Sequence, residues 1–91
     1  MALTATRKKI EAIGSIQMHI FSVDFDSVTG GAVDTGLNQI VFASYSPNTS
    51  DDHGIVYLNS ATASTTEDDG GQVYIDGVTA NDEGYLLVLG Y

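Results

Sequence analysis

The sequence predicts an all-β fold, either a small antiparallel β-sandwich or a jelly-roll-like barrel of about six to eight short strands with an extended N-terminal arm. Short runs rich in Val, Ile, Tyr and Phe are separated by clusters of Gly, Asp, Asn and Ser, which is the pattern of strands joined by turns. Apolar and polar residues alternate with period 2 in the clearest run, and helical spacing has little support. Both observations indicate antiparallel sheet structure.

Residues 1–12 are predicted to form a basic N-terminal arm, and residues 13–91 a single β domain. Thr4, Thr6 and Gly14 disfavour a stable helix, so the arm is expected to be extended or to form a single turn. Because the arm is expected to lie outside the body of the protein, its removal should leave the domain folded.

The first strand is predicted within residues 13–23, and it is expected to end at the turn residues 24–27. Two sets of side chains alternate along it: Ile16, Met18 and Ile20 with Gln17, His19 and Phe21. This alternation gives a period-2 face, and His19 is expected to point outward from the strand.

The second strand, residues 38–46, is predicted to be central and highly buried. Its apolar residues are Ile40 and Phe42 on one side and Val41, Ala43 and Tyr45 on the other. Such a strand is covered on two faces or packed at a subunit contact. Residues 46–54 predict a loop, because they contain Pro and several turn-forming residues. A short strand is expected at 55–59, followed by a mobile polar loop at 60–71.

The C-terminal part is predicted to contain two more strand regions. Residues 73–75 run into the Asp-Gly pair at 76–77, which favours either a two-residue hairpin, with Val78 resuming the strand, or a bulge at the glycine. Residues 81–84 predict the last turn. Residues 85–91 form the most hydrophobic strand, which is expected to be tied into a sheet.

Length and composition indicate one small domain with a thin core. A chain of 91 residues buries about 60–65% of its unfolded surface, and without Cys it has no disulfide or thiolate metal site to add stability. Oligomerisation is therefore expected. The apolar runs are far shorter than the ~20 residues that cross a bilayer, and the start lacks the apolar stretch of a secretion signal, so no membrane partner is expected.

Charge is polarised along the chain. Arg7, Lys8 and Lys9 are the only basic residues, whereas there are twelve Asp and Glu, and the net charge is −9. Most carboxylates must therefore be solvated, capped by backbone N–H groups or met by a partner. No nucleic acid is expected as a partner, because phosphate binding needs clustered Lys and Arg. This pattern favours an assembly component over an enzyme.

Catalytic and metal sites have little support in the sequence. Asp24 and Asp26 have the spacing that opens a calcium loop, but Val28 and Thr29 occupy the next ligand position and the turn-glycine position. A turn whose Asp side chains accept backbone N–H groups is expected instead. The two histidines lie in a strand and at a loop tip, and no nucleophile elbow or phosphate-binding loop occurs. We therefore predict no enzymatic activity, no cofactor and no essential metal.

Acidic clusters and tyrosines are the remaining candidates for binding. Residues 51–53 and 67–69 are expected to be solvated, with weak binding of a hard cation as the alternative. Five tyrosines lie in or at the ends of predicted strands: Tyr45, Tyr57, Tyr74, Tyr85 and Tyr91. Core or interface packing is expected for them, and carbohydrate binding is the alternative.

Several segments occur in a characteristic order: the basic start at 6–9, residues 23–27 leading into Thr-Gly-Gly at 29–31, Thr-Gly-Leu at 35–37 before an apolar strand, and the ending at 84–91. In this order of segments, over most of its length, the chain resembles the small virion structural proteins of tailed bacteriophages. Such proteins are often β-rich capsid decoration or cement proteins. The resemblance implies a non-enzymatic role, assembly on the head surface, and a trimer or other cyclic homo-oligomer.

These observations together predict a virion structural protein that binds and stabilises a phage capsid, located on the capsid surface and, during assembly, in the host cytoplasm. The expected partner is the major capsid protein or another virion protein. Arg7, Lys8 and Lys9 are the expected electrostatic contact, and Tyr91 is a further partner-binding residue. The alternatives are a head–tail connector or tail component, or a small carbohydrate- or calcium-binding β module.

Overall fold

A computed structural model describes residues 3–48, 53–63 and 70–91, and in these ranges the chain forms seven strands and no helix. The strands are β1 (Leu3–Ile13), β2 (Ile16–Phe25), β3 (Gly30–Asp34), β4 (Ile40–Pro47), β5 (Ile55–Leu58), β6 (Gln72–Asp76) and β7 (Glu83–Gly90). No helix that could cross a membrane occurs in these ranges. The predicted all-β class is confirmed.

The strands form two antiparallel sheets. Sheet A has the order β1-β2-β7-β4, and sheet B has the order β3-β6-β5. Residues of both sheets share one buried cluster, so the arrangement is sandwich-like. The finer jelly-roll assignment is not confirmed, since that fold has eight strands.

The core lies between the two sheets and takes alternate residues from their strands. Sheet A contributes Phe21, Val23, Phe25, Ile40, Tyr45, Leu86 and Val88, sheet B contributes Val33, Val73 and Ile75, and Leu37 and Val78 come from connecting segments. The rings of Phe25 and Tyr45 meet edge to face, with centroids 5.6 Å apart. Since a strand turns only every second side chain inward, the other half of sheet A is turned away from sheet B.

The N-terminal segment is an edge strand, and the predicted extended arm is not confirmed. β1 pairs with β2 from Leu3 opposite Phe25 to Ile13 opposite Ile16. Leu3 and Ala5 also pack against the core. The two-residue connection begins with Gly14 at a φ of 64°, a conformation that suits a tight hairpin. The basic segment therefore belongs to sheet A.

β2 turns its odd-numbered residues inward, so the expected outward position of His19 is wrong. His19 is buried together with Phe21, Val23 and Phe25, whereas Met18 lies on the opposite face and is partly exposed. Both faces of β2 carry apolar residues. The alternation of side chains along the sequence therefore identified the two faces of β2, but it did not indicate which face meets the core.

β4 is an edge strand of sheet A, and its predicted central position is wrong. The central strands of sheet A are β2 and β7. Val41 and Phe42 are 49% and 48% exposed, so the two-sided apolar pattern of β4 does not reflect burial within this chain. The second reading of that pattern, packing at a subunit contact, is compatible with an exposed edge.

The Asp-Gly pair at 76–77 ends β6 and does not form the predicted hairpin. Val78 donates its backbone N–H to the Thr29 carbonyl, and the next strand, β7, lies in the other sheet. β3 was not predicted, because glycine pairs such as Gly30-Gly31 favour turns. Residues 64–69 of the predicted mobile loop lie outside the described residues.

Asn59 links the end of β5 in sheet B to the start of β4 in sheet A. Its side-chain Oδ1 accepts a hydrogen bond from the Ile40 N–H at 2.8 Å, and its Nδ2 donates to the Ile40 carbonyl at 3.0 Å. The Asn59 backbone is left-handed, with a φ of 53°, a conformation that Asn tolerates better than most residues. This pair of hydrogen bonds holds β4 at the border between the sheets.

Replacing Asn59 should therefore destabilise the domain in two separable steps. We expect Asn59→Gly to cost about 2 kcal/mol for the two hydrogen bonds, and Asn59→Ala about 1 kcal/mol more because Ala is strained in the left-handed region. Urea denaturation of the three proteins measures both differences. Equal stability of the Gly variant and the unsubstituted protein would contradict the proposed link.

Deletion of residues 1–9 should unfold or strongly destabilise the domain, in contrast to the expectation for a free arm. The deletion removes most of the β1 pairing and the packing of Leu3 and Ala5. Circular dichroism melts of the deletion and of a Lys8→Gln/Lys9→Gln control, which keeps the backbone, test this. A deletion variant that melts like the control would show that β1 contributes no stability.

Candidate interaction surface

The outer face of sheet A, turned away from sheet B, carries a continuous group of apolar side chains. We call this group the apolar band; its members are Met18 and Ile20 on β2, Leu87 and Leu89 on β7, and Phe42 on β4. Strand pairing brings Met18 opposite Leu89, Ile20 opposite Leu87, and Phe42 opposite Leu89 from the other side. The band therefore crosses three adjacent strands.

The apolar band ends at β1 in a pair of opposite charges. Lys9 pairs with Ile20, and Glu11 pairs with Met18, so both charged residues flank the band on the same face. The Lys9 Nζ lies 3.2 Å from the Glu11 Oε1, and both side chains are about half exposed. An exposed ion pair of this kind contributes little to folding by itself.

The other end of the outer face is polar and then acidic. Tyr85 lies opposite Ser22 and Ser46, and its side chain is 50% exposed. One step further, Asp24 pairs directly with Glu83, which brings two like charges side by side. The face thus changes from apolar to acidic along the strands.

The three basic residues do not form one patch. The pairing of β1 shifts between Arg7 and Lys9, so Lys8 lies in a β-bulge. As a result Arg7 lies on the inner face opposite Phe21, whereas Lys9 lies on the outer face opposite Ile20. Arg7, Lys8 and Lys9, which were predicted to form one electrostatic contact, therefore lie on the inner face, in the bulge and on the outer face, respectively.

Tyr91 follows β7 at the border with the segment that leads into β4. Its backbone N–H donates to the Gln39 carbonyl at 3.0 Å, and its oxygen accepts hydrogen bonds from the N–H groups of Asn38 and Gln39. The side chain is 58% exposed. Its ring is thus accessible while its backbone is fixed, as a partner-binding residue requires.

Arg7 contacts a buried histidine on the inner side of β1. The Arg7 Nη1 donates to the His19 Nδ1 at 3.4 Å, and the His19 Nε2 lies 3.0 Å from the Gln17 Oε1. Because Arg can only donate, Nδ1 must be the acceptor, so the proton is on Nε2 and is donated to Gln17. The Arg7 guanidinium also lies 6.0 Å from the centre of the Phe21 ring.

Burial, and then the positive charge of Arg7, lower the pKa of His19 below its ordinary value of 6.5. The ring is only 3% exposed, and both of its nitrogens have hydrogen-bond partners when it is neutral. His19 therefore occupies the inner face as a neutral residue with satisfied hydrogen bonds, which fits a structural role for it.

The turn after β2 is organised by Asn81. The Asn81 Oδ1 accepts the Ser27 N–H at 2.9 Å, and the Ser27 hydroxyl lies 3.4 Å from the Asp26 Oδ1.

Among the described residues, no group of three or more potential metal ligands and no pocket occurs. The acidic residues 51–52 and 67–69 lie outside the described part of the chain.

A second group of aromatic residues lies on the outer face of sheet B. Tyr57 pairs with Tyr74, and their ring centroids are 6.5 Å apart with the planes tilted by 58°. Both side chains are partly buried. Because the rings are tilted, they do not form one flat surface.

Comparisons of the chain with protein-family models, with curated proteins and with solved structures find no match. The surfaces described above are therefore the basis for a functional proposal. The apolar band was missed in the sequence. A signal for it was present in the unbroken apolar run Leu86–Leu89, since only one of its two faces can meet a single core.

The buried His19 should make the domain less stable in mildly acidic solution. Because the pKa of His19 is lowered in the folded state, the unfolded chain takes up a proton first as the pH falls through 6.5. We expect a smaller free energy of unfolding at about pH 5.5 than at about pH 7.5.

Urea denaturation at the two pH values measures this effect, and His19→Phe should reduce the difference. His53→Gln is the matched control for the other imidazole. If the difference in free energy of unfolding between the two pH values is unchanged in His19→Phe and lost in His53→Gln, the effect comes from His53, and the prediction for His19 is contradicted.

Proposed function

We propose that this protein is a non-enzymatic virion structural protein that binds and stabilises a phage capsid as a decoration or cement protein. The apolar band carries this proposal, since a contiguous apolar group on the surface of a 91-residue domain is typical of a protein-docking site. The resemblance to small virion structural proteins of tailed bacteriophages supports the capsid as the assembly in question.

In this proposal, one surface of the protein mediates self-association and another binds the shell. The apolar band is the contact between copies in a homo-oligomer, and the exposed side of β1 is the contact with the shell. β1 has a neighbour on one side only, and its eleven residues offer a long backbone edge for pairing with an added strand. Lys8, in the bulge on this edge, fits an acidic surface of the major capsid protein or another virion protein, whereas Lys9 lies beside the apolar band.

Each contact of this kind is weak, and repetition makes it effective. One exposed charge pair contributes about 0.2–1 kcal/mol, but a homo-oligomer on a symmetric shell makes the same contact several times. Backbone pairing along β1 adds a part that does not depend on salt. A head–tail connector or tail component would use the same two surfaces. It would differ from a decoration protein only in the part of the phage particle that it binds.

Co-sedimentation with empty capsids, assembled from the major capsid protein of the phage that this proposal implies, tests the proposal. We expect the unsubstituted protein to bind at salt below roughly 0.15 M and to bind less at salt above that value, because salt screens the charge contact. Lys8→Gln should bind more weakly at the lower salt concentration and depend less on salt. Arg7 is left intact because it contacts His19 and Phe21 in the fold.

The matched control is Asp34→Asn/Asp76→Asn, which changes two charges on sheet B and should bind like the unsubstituted protein. Absence of binding to the shell would reject the capsid as partner. Equal binding by all three proteins at both salt concentrations would reject the β1 edge as the contact. Binding to connector or tail assemblies in place of capsids would favour the alternative.

A further inference from the structure

The geometry points to a second copy of this chain as the occupant of the apolar band. We infer that two copies pack the outer faces of their A sheets together about a two-fold axis that runs across the strands. This inference rests on the proposed function, in which the band is the contact between copies. It adds the number of copies and their orientation in the pair.

Strand pairing arranges the centre of the outer face in two rows across sheet A. The first row is Glu11, Met18, Leu89 and Phe42, and the second row is Lys9, Ile20, Leu87 and Ser44. Each row thus begins with a charged residue on β1 and continues through two apolar residues on the central strands. The rows differ in the sign of that charge.

A two-fold axis across the strands and midway between the rows brings each row against the other row of the second copy. Met18 then meets the second copy's Ile20, and Leu89 meets the second copy's Leu87, so apolar residues cover apolar residues. The strands of the two copies remain roughly aligned, as in packed sheets. The contact is isologous, because each copy contributes the same surface.

The same axis makes the charges at β1 complementary. Glu11 of each copy meets Lys9 of the other, and each Lys9 already lies 3.2 Å from its own Glu11. Four charges of alternating sign therefore surround one point. A network of this kind gains more than an isolated exposed pair, since the side chains are already ordered.

The alternative axis, parallel to the strands, gives poor complementarity. It brings β1 over β4 of the second copy, so Glu11 covers the apolar ring of Phe42 and loses water without gaining a cation. It also brings Asp24 and Glu83 of one copy over the same two acidic residues of the other. The like charges then repel at close range.

With the axis across the strands, the acidic ends of the two copies point in opposite directions. Asp24 and Glu83 lie three rows from Glu11 in each copy. Five two-residue steps of about 3.4 Å per residue then separate the two acidic pairs, roughly 34 Å, well beyond the screening length of about 8 Å. The like charges of the two acidic ends are thus kept apart in the pair.

The size of the outer face fits a reversible dimer. Four strands spaced by about 4.8 Å and eight residues of about 3.4 Å cover roughly 500 Å² per copy. The total of roughly 1000 Å² is at the lower end of specific protein interfaces. One surface that binds itself closes with two copies, so the inferred unit is a dimer and differs from the trimer expected from the sequence.

Sedimentation equilibrium from about 1 to about 200 µM tests the inference with the unsubstituted protein and two charge variants. The unsubstituted protein should reach twice the chain mass of 9.6 kDa. Lys9→Glu and Glu11→Lys should each weaken self-association about tenfold, because each puts four like charges together. An equal mixture of the two variants should associate again, since every charge then meets its opposite.

Two matched controls distinguish changes on the outer face of sheet A from the general effect of changing a charge or removing an exposed apolar side chain. Lys8→Glu makes the same charge change in the bulge and should dimerise normally. Phe42→Ser should weaken dimerisation, whereas Ile55→Ser, which removes a 58% exposed side chain from sheet B, should not.

A monomer at every concentration, a trimer, a single charge variant that dimerises normally, or a mixture that fails to associate would each overturn the inference. The experiment contains no capsid. A dimer that fails to bind capsids would therefore reject the proposed function alone, and capsid binding by a monomer would reject the inference alone.

Discussion

The pairing of β7 with both β2 and β4 is the interaction on which the rest of sheet A depends. It joins the N-terminal hairpin to the last third of the chain and sets which residues of three strands share a face. Glycines occupy both ends of β7. A Cβ atom on Gly84 would overlap the Ser46 carbonyl, and one on Gly90 would overlap the Gln39 carbonyl. A slip of one residue would bring larger side chains to these two positions, so the register is closely constrained.

This register explains why a thin core and a partly exposed apolar surface occur together. Leu86 and Val88 enter the core, and therefore Leu87 and Leu89 must point the other way. In a two-sheet fold of this size, nothing else in the described chain covers that outer side. The feature that stabilises the domain thus also generates the surface from which we argue its function.

The strands that directly follow strong turn signals were predictable from the sequence. The short strand β5 and the last strand β7 were predicted close to their observed ranges. β3 was missed because glycine normally marks a turn, whereas Gly30 and Gly31 lie in a strand that packs closely on its neighbours. A Cβ atom on Gly31 would come within 2.8 Å of the Leu3 side chain. This close approach depends on β1, which had itself been predicted to lie outside the domain.

The bulge at Lys8 has a consequence for the solubility of a protein with so long an open strand. An edge of eleven regularly spaced residues can template the addition of further identical chains and lead to fibres. The extra residue breaks the regular spacing of the backbone groups, twists the strand locally and brings a hydrated ammonium group to that edge. Unlimited edge-to-edge growth is thereby disfavoured, while a partner strand shaped to the irregularity can still pair.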